Sequence, residues 1–98
     1  MNIQAMMKQA KKIQNDMMKE KNAIDEAIYT GKSSFVTVTM KGTKEVVNIK
    51  IDNNDLKSDE IEMLEDMLVV AFNDASKQID SDIDNKLGKY TQGMPGLF

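Results

Sequence analysis

The sequence predicts an α+β domain: a long amphipathic helix, then antiparallel strands, then a second long helix. Three observations carry this expectation. Apolar residues recur at helical spacing through residues 2–29, β-branched residues alternate through the middle, and a second helical stripe with acidic flanks fills the last third. The 98 residues suit one domain spanning 1–98 with a modest core. A chain this short buries a smaller share of its surface than a large one, so a second copy would have apolar area to cover.

In the first helix, Ile3, Met6, Ala10, Ile13 and Met17 follow one another at three- and four-residue steps, Ile24 and Ala27 resume the seam two steps on, and neither Gly nor Pro interrupts residues 2–29. Such a helix runs about 40 Å, longer than a small domain can cover. Part of it should therefore project or pack on a partner chain. Glu20 falls on the apolar seam, which is strongest before it, so Met6, Ile13 and Met17 are the expected dimer contact. The pairs Met6/Met7 and Met17/Met18 offer an adaptable surface for varied ligands, but one Met of each pair lies on the seam, which favours packing.

Phe35, Thr37 and Thr39 alternate with Val36, Val38 and Met40, a β-branched pattern that favours a strand. Val47, Ile49 and Ile51 alternate with Asn48 and Lys50 in a second run. Lys41-Gly42-Thr43-Lys44 between them has the length and the Gly for a hairpin turn, giving a pair with one covered face. Periodicity leaves residues 27–30 open between the end of the helix and a short first strand. The Asx-turn formers of residues 52–55 read as a loop. Ser58 or Asp59 then caps a second helix, with Asp59 and Glu62 spaced as a capping box and early acids suited to the helix dipole. Leu64, Leu68, Ala71, Phe72 and Ala75 form its apolar stripe, continued by Ile79, Ile83 and Leu87. Gly88 reads as the stop, and 88–98 as a flexible tail.

With neither Cys nor His in the chain, disulfides, thiolate metal sites and imidazole chemistry are excluded. No Gly-rich phosphate loop appears, and no nucleophile stands at motif spacing from a base, so no enzymatic activity, cofactor or small-molecule substrate is expected. Asp80, Asp82 and Asp84 imitate the opening of a calcium loop. Asn85 occupies the place of the turn Gly, Thr91 that of the bidentate Glu, and the run lies in a helical stripe that splays alternate residues apart, so no metal site is expected. Lys8, Lys11 and Lys12 interrupt the N-terminal stretch, leaving neither the apolar core of a signal peptide nor a spanning helix. A cytoplasmic protein without membrane contact is the expectation.

Net charge is −3, unevenly distributed. Residues 1–51 hold nine Lys against five acids, a balance of +4, and residues 52–98 hold four Lys against eleven acids, a balance of −7. On a helical wheel Lys8, Lys12, Asn15, Lys19 and Asn22 lie opposite the apolar seam, with Lys11 nearby. Lysines so arranged neutralise phosphates along a duplex, although a merely solvated helix face has the same composition. Lys8, Lys11, Lys12 and Lys19 are thus the candidate contacts for a phosphate backbone, with Lys86 and Lys89 as secondary ones. All thirteen basic residues are Lys, so the planar fork that reads guanine bidentately is missing and binding should be weakly sequence-selective. Genomic composition bias would also yield an Arg-free chain rich in Lys, Asn and Ile.

The order Glu62-Met63-Leu64-Glu65-Asp66-Met67-Leu68-Val69-Val70-Ala71-Phe72-Asn73-Asp74-Ala75 resembles the second-helix motif of the YbaB/EbfC family of small nucleoid-associated DNA-binding proteins. The likeness covers nearly the whole chain. Met6-Met7-Lys8-Gln9-Ala10 through Ile13-Gln14 is similar to the family's first helix, Thr43-Lys44-Glu45-Val46-Val47 through Ile51-Asp52 to its last strand, and Gly88-Lys89 with Gln92-Gly93-Met94-Pro95-Gly96-Leu97-Phe98 to its tail. Two departures stand out: Lys32-Ser33-Ser34 where the family commonly has a glycine run, and Asn53-Asn54 where it commonly has a Pro. The resemblance implies three strands, a tight homodimer with helices extending like tweezers from fused sheets, no enzymatic activity, and DNA binding of little or modest sequence preference. The expected function is that of a cytoplasmic, nucleoid-associated protein bearing on nucleoid organisation and gene expression. The rival class is a small acidic dimeric protein-interaction module, similar to secretion chaperones in layout or a partner of recombination and replication proteins; such a module would be indifferent to duplex DNA.

Overall fold

Asn2 opens the first helix by accepting hydrogen bonds at its Oδ1 from the backbone N–H groups of Gln4 and Ala5, at 3.1 and 3.3 Å. In the computed structural model, which describes residues 2–91, the chain runs through α1 (Ile3–Glu26), β1 (Ile28–Ser33), β2 (Val36–Lys41), β3 (Val46–Ile51), a 3-10 turn (Ser58–Glu60) and α2 (Ile61–Thr91). The strands form one antiparallel sheet in the order β1-β2-β3. The molecule measures 71 × 20 × 15 Å. This elongation reflects α1, which has no buried residue before Met17.

The first helix ends at Glu26, which settles residues 28–30 as strand and not helix end. Ala27 is already extended, and the Ile28-Tyr29-Thr30 run that follows favours a strand. Residues 27–30 therefore lead into β1, which pairs with β2 from Ile28 opposite Lys41 to Ser33 opposite Val36. The turn falls on Ser34 and Phe35, so Phe35 is a turn residue and not a strand residue. Ser34 takes a φ of 53° there, a conformation tight two-residue hairpins demand.

In the second hairpin the positive φ belongs to Lys44, at 72°, and the Lys44 N–H closes the turn on the Lys41 carbonyl at 2.8 Å. Gly42 has another task. A Cβ there would overlap the carbonyl of Ile24, so the turn can tuck under the end of α1, where the Gly42 N–H donates to the Ala27 carbonyl at 3.1 Å. Val47 is the extra residue of a β-bulge, since Thr39 faces Asn48 and Met40 faces Val46.

The second helix lies across β1 and β2. Gly31 of β1 lets it come close, because a Cβ there would overlap the Ala71 carbonyl, and Ala71 and Ala75 are fully buried at this crossing. Met17, Ile24, Tyr29, Val36, Val38, Met40, Ile79 and Leu87 complete the core. Phe72, expected on the buried stripe, is exposed, whereas Leu64, Leu68 and Ile83 are half-buried. The expected side-chain cap at Ser58 or Asp59 does not form. A 3-10 turn leads in, with the Glu60 N–H on the Lys57 carbonyl, while Asp55 N–H on Asn53 Oδ1 makes the anticipated Asx turn. Nor does Gly88 stop the helix, which continues to Thr91. The rest of the expected tail, residues 92–98, lies outside the described residues.

The expected covered face of the β2–β3 pair is covered on β2 alone. Directly paired residues share a sheet face, so Val46, Ile49 and Ile51 stand on the same face as the buried Met40, Val38 and Val36. Because α2 lies over β1 and β2, those three β3 residues remain exposed, Ile49 at 50%.

Candidate nucleic-acid interface

Lys19 stands eleven positions after Lys8, placing them about 16 Å apart along α1. Lys8, Lys12 and Lys19 share one face, and Lys11 flanks it nearer the apolar side. All four are exposed, and among the described residues none has an ion-pair partner. Lys8, Lys11 and Lys12 stand on the part of α1 that has no buried residue, Lys19 just beyond the buried Met17, and together they form a cationic ridge in water.

The secondary candidates differ. Lys86 pairs with Asp82 at 3.3 Å, and Lys89 with Glu20 at 3.5 Å while also lying 5.0 Å over the Tyr90 ring. The Glu20 carboxylate, ahead of Tyr90, holds the Lys89 ammonium above its ordinary pKa. A phosphate approaching either lysine competes with a carboxylate already in place. The Glu20–Lys89 pair also explains the acid on the apolar seam of α1, since it meets a cation from the end of α2.

Of the three expected dimer contacts, Met6 and Ile13 are 53% and 41% exposed, but Met17, at 8%, already belongs to this chain's own core. Only the first two have substantial surface left for a partner.

Three acids of α2, Asp74, Asp80 and Asp82, serve the fold. Tyr29 donates to Asp82 at 2.6 Å; burial foremost, then the Asp82 bond and charge, push the phenol up to about 12. The Tyr29 hydrogen bond and Lys86 hold Asp82 below the usual carboxylate range. Asp80 pairs with Lys44 at 2.8 Å, so Asp80 and Asp82 turn to different partners instead of converging. Sequence reasoning missed two further residues. Gln78 Nε2 donates to the Thr30 carbonyl at 2.8 Å, and Asp74 Oδ2 accepts from the Lys32 N–H at 3.1 Å, so α2 side chains satisfy polar groups on the outer edge of β1. Nothing similar caps β3 among the described residues. No local signal distinguishes such residues from solvated positions on a helix.

The match to the model of the YbaB/EbfC DNA-binding family covers residues 1–94. A nucleoid-associated protein of Enterococcus faecalis is 36% identical over 98% of this chain and 94% of its own length. One from Lactobacillus acidophilus is 41% identical over 96% of this chain and 86% of its own length. In fold, the chain is similar to the crystal structure of an uncharacterized Helicobacter pylori protein, with a TM-score of 0.74 at 22% identity, covering 92% of this chain and 97% of that one. The motif on α2 is where the helix crosses the sheet: its Ala71 and Ala75 are small because Gly31 brings β1 against them. By sequence over nearly its whole length, this chain belongs to the YbaB/EbfC DNA-binding family.

Proposed function

We propose that this protein is a nucleoid-associated protein that binds duplex DNA as a homodimer, holding phosphates with Lys8, Lys11, Lys12 and Lys19 of each protomer. The observation that carries this reading is the ridge of exposed lysines without acid partners among the described residues, on a chain of net negative charge. Family membership supports it. Affinity comes from counterion release, and without Arg it varies little between unrelated sequences. Residence in the nucleoid follows from that binding. No catalytic activity is proposed.

The dimer is proposed for a physical reason. β3 offers an uncapped edge and an apolar face, Val46, Ile49 and Ile51, continuous with the core face of the sheet. A second copy docked on β3 would complete that core, with Met6 and Ile13 on α1 as a further contact.

Fluorescence anisotropy of a labelled mixed-sequence duplex at two salt concentrations, alongside sedimentation equilibrium, tests the reading. Salt-sensitive binding by a 22 kDa species, roughly twice the 11.0 kDa chain, is expected. A folded monomer would overturn the dimer. A dimer indifferent to duplex would overturn the DNA reading and favour an acidic protein-interaction module.

A further inference from the structure

The three strands contain three lysines and no acid. Lys32, Lys41 and Lys50 stand on the sheet face turned away from α2, since the alternate positions Tyr29, Gly31, Val36, Val38 and Met40 are buried beneath it. The register sets these lysines among hydroxyl and amide groups: Thr37 lies between Lys32 and Lys50, Thr39 between Thr30 and Asn48, and Lys41 opposite Ile28. We propose that this face is a second surface for duplex DNA, separate from the α1 ridge. Lys32, Lys41 and Lys50 hold phosphates there, and Thr37, Thr39 and Asn48 donate hydrogen bonds to them.

Charge complementarity selects that occupant. Opposite charges on facing residues would stabilise the strand pairing, yet none of the three lysines faces an acid, and among the described residues none has an ion-pair partner. Glu45 and Asp52 lie just outside the ends of β3. The face therefore stays positive on a chain of net charge −3. Lysines on edge strands commonly deter pairing with other chains, but Lys41 belongs to the central strand, where no edge needs guarding. Lys32 and Lys50 are two strand spacings apart, about 10 Å, and Lys41 lies four residues along β2 from Thr37, about 14 Å. On flexible stems, these separations suit phosphates on the two rims of a major groove about 12 Å wide. Hydroxyl and amide side chains commonly donate to phosphate oxygens. No aromatic ring stands on this face of the strands, so the stacking that holds single strands is missing and a duplex is favoured. The contact proposed for a second copy uses the other face and the edge of β3, which leaves this face open. The proposal deepens the duplex-binding reading and rests on it for the class of ligand, but it uses none of the α1 lysines.

The test is amide NMR of the full chain titrated with a short mixed-sequence duplex. Two separate groups of shifts are expected, one along residues 8–19 and one at Lys32, Thr37, Thr39, Lys41 and Lys50. Unmoved sheet amides would overturn the proposal whatever α1 does, whereas moving sheet amides beside an unmoved α1 would support it and overturn the α1 ridge alone. With Lys8, Lys12 and Lys19 replaced by Gln the sheet shifts should persist, and their loss would overturn a separate surface. Poly-glutamate is the competing probe: sheet shifts with it and none with duplex would assign the face to an acidic protein partner and overturn the proposal. Lys32→Gln, Lys41→Gln and Lys50→Gln together should flatten the log–log salt slope of duplex binding by about 0.9 for each phosphate no longer neutralised. Parental slope and affinity in a variant with a cooperative melt would overturn the proposal, and the titration of the parent chain decides it should the variant fail to fold.

Discussion

Replacing Gly31 by Ala and Gly88 by Ala adds one methyl group in each case, with opposite expected effects. At Gly31 the new Cβ would meet the Ala71 carbonyl, the Ala75 backbone N–H and, at 3.0 Å, the Ala75 Cβ. These obstacles are mainly helix backbone and cannot swing aside as a flexible side chain would. The helix must lift from β1, loosening Ala71, Ala75 and Ile79, all fully buried. Overpacking costs typically 1–3 kcal/mol, and a backbone collision belongs at the upper end, about 3 kcal/mol. For a chain of this size that lowers Tm by roughly 10–25 °C. At Gly88 nothing lies within 4 Å of the added Cβ, and the residue is helical. There Ala should gain its helix advantage of about 1 kcal/mol, raising Tm by roughly 4–8 °C. Circular dichroism melts at one fixed protein concentration measure both. A Gly31→Ala melt within about 0.5 kcal/mol of the parent would refute the close crossing of α2 over β1.

Other perturbations separate the remaining parts of the structure. An unfolded Tyr loses its proton near its ordinary pKa of about 10, whereas folded Tyr29 keeps it to about 12; its contribution is therefore full below about pH 10 and lost as pH rises towards 12. Tyr29→Phe should cost about 1.5–3 kcal/mol at neutral pH and shrink that alkaline loss in denaturant titrations; an unchanged alkaline profile would refute it. Ile49→Asp should leave the lone protomer folded but weaken association at least about tenfold, because half an isoleucine's burial, about 1 kcal/mol per protomer, is lost and a carboxylate must be enclosed. Sedimentation equilibrium showing parental association would move the dimer contact off β3. Ile24→Ala, at a 2% exposed site, should cost about 2–5 kcal/mol. Ile13→Ala should act mainly on the concentration-dependent part of stability, and if neither melting nor dimerisation responds, the α1 seam is not a contact.

Much of the architecture was legible because it rests on period. The seam of α1, the alternation of β2 and β3 and the stripe of α2 all place apolar groups at the spacing their elements require. The first strand was less so: Ile28-Tyr29-Thr30 follows the helix without a break, and Gly31 resembles a turn residue. Its actual role, close approach by α2, depends on a helix forty residues later. Gly42 does lie in the expected hairpin turn, but its contact with the end of α1 has no local signal, and Gly88, read as a stop, is carried inside the helix. At the candidate interface the lysine ridge could be drawn on a wheel, because it needs only one helix. The pairing of Lys89 with Glu20 joins opposite ends of the chain, and the burial of Met17 depends on core packing. Neither has a local signature. That no described residue caps the edge of β3 emerges only when Gln78 and Asp74 are seen to serve β1.

The ridge on α1 stands or falls with the triple replacement of Lys8, Lys12 and Lys19 by Gln. These side chains are exposed and without ion-pair partners among the described residues, so the melt should stay within about 0.5 kcal/mol of the parent. Duplex affinity measured from low to moderate salt gives a log–log slope of about −0.9 for every phosphate neutralised. In the triple variant the slope should flatten by that amount for each phosphate no longer neutralised, with affinity at low salt falling in step and still showing little dependence on sequence. A variant that keeps the parental slope and affinity would show that α1 does not hold the phosphates.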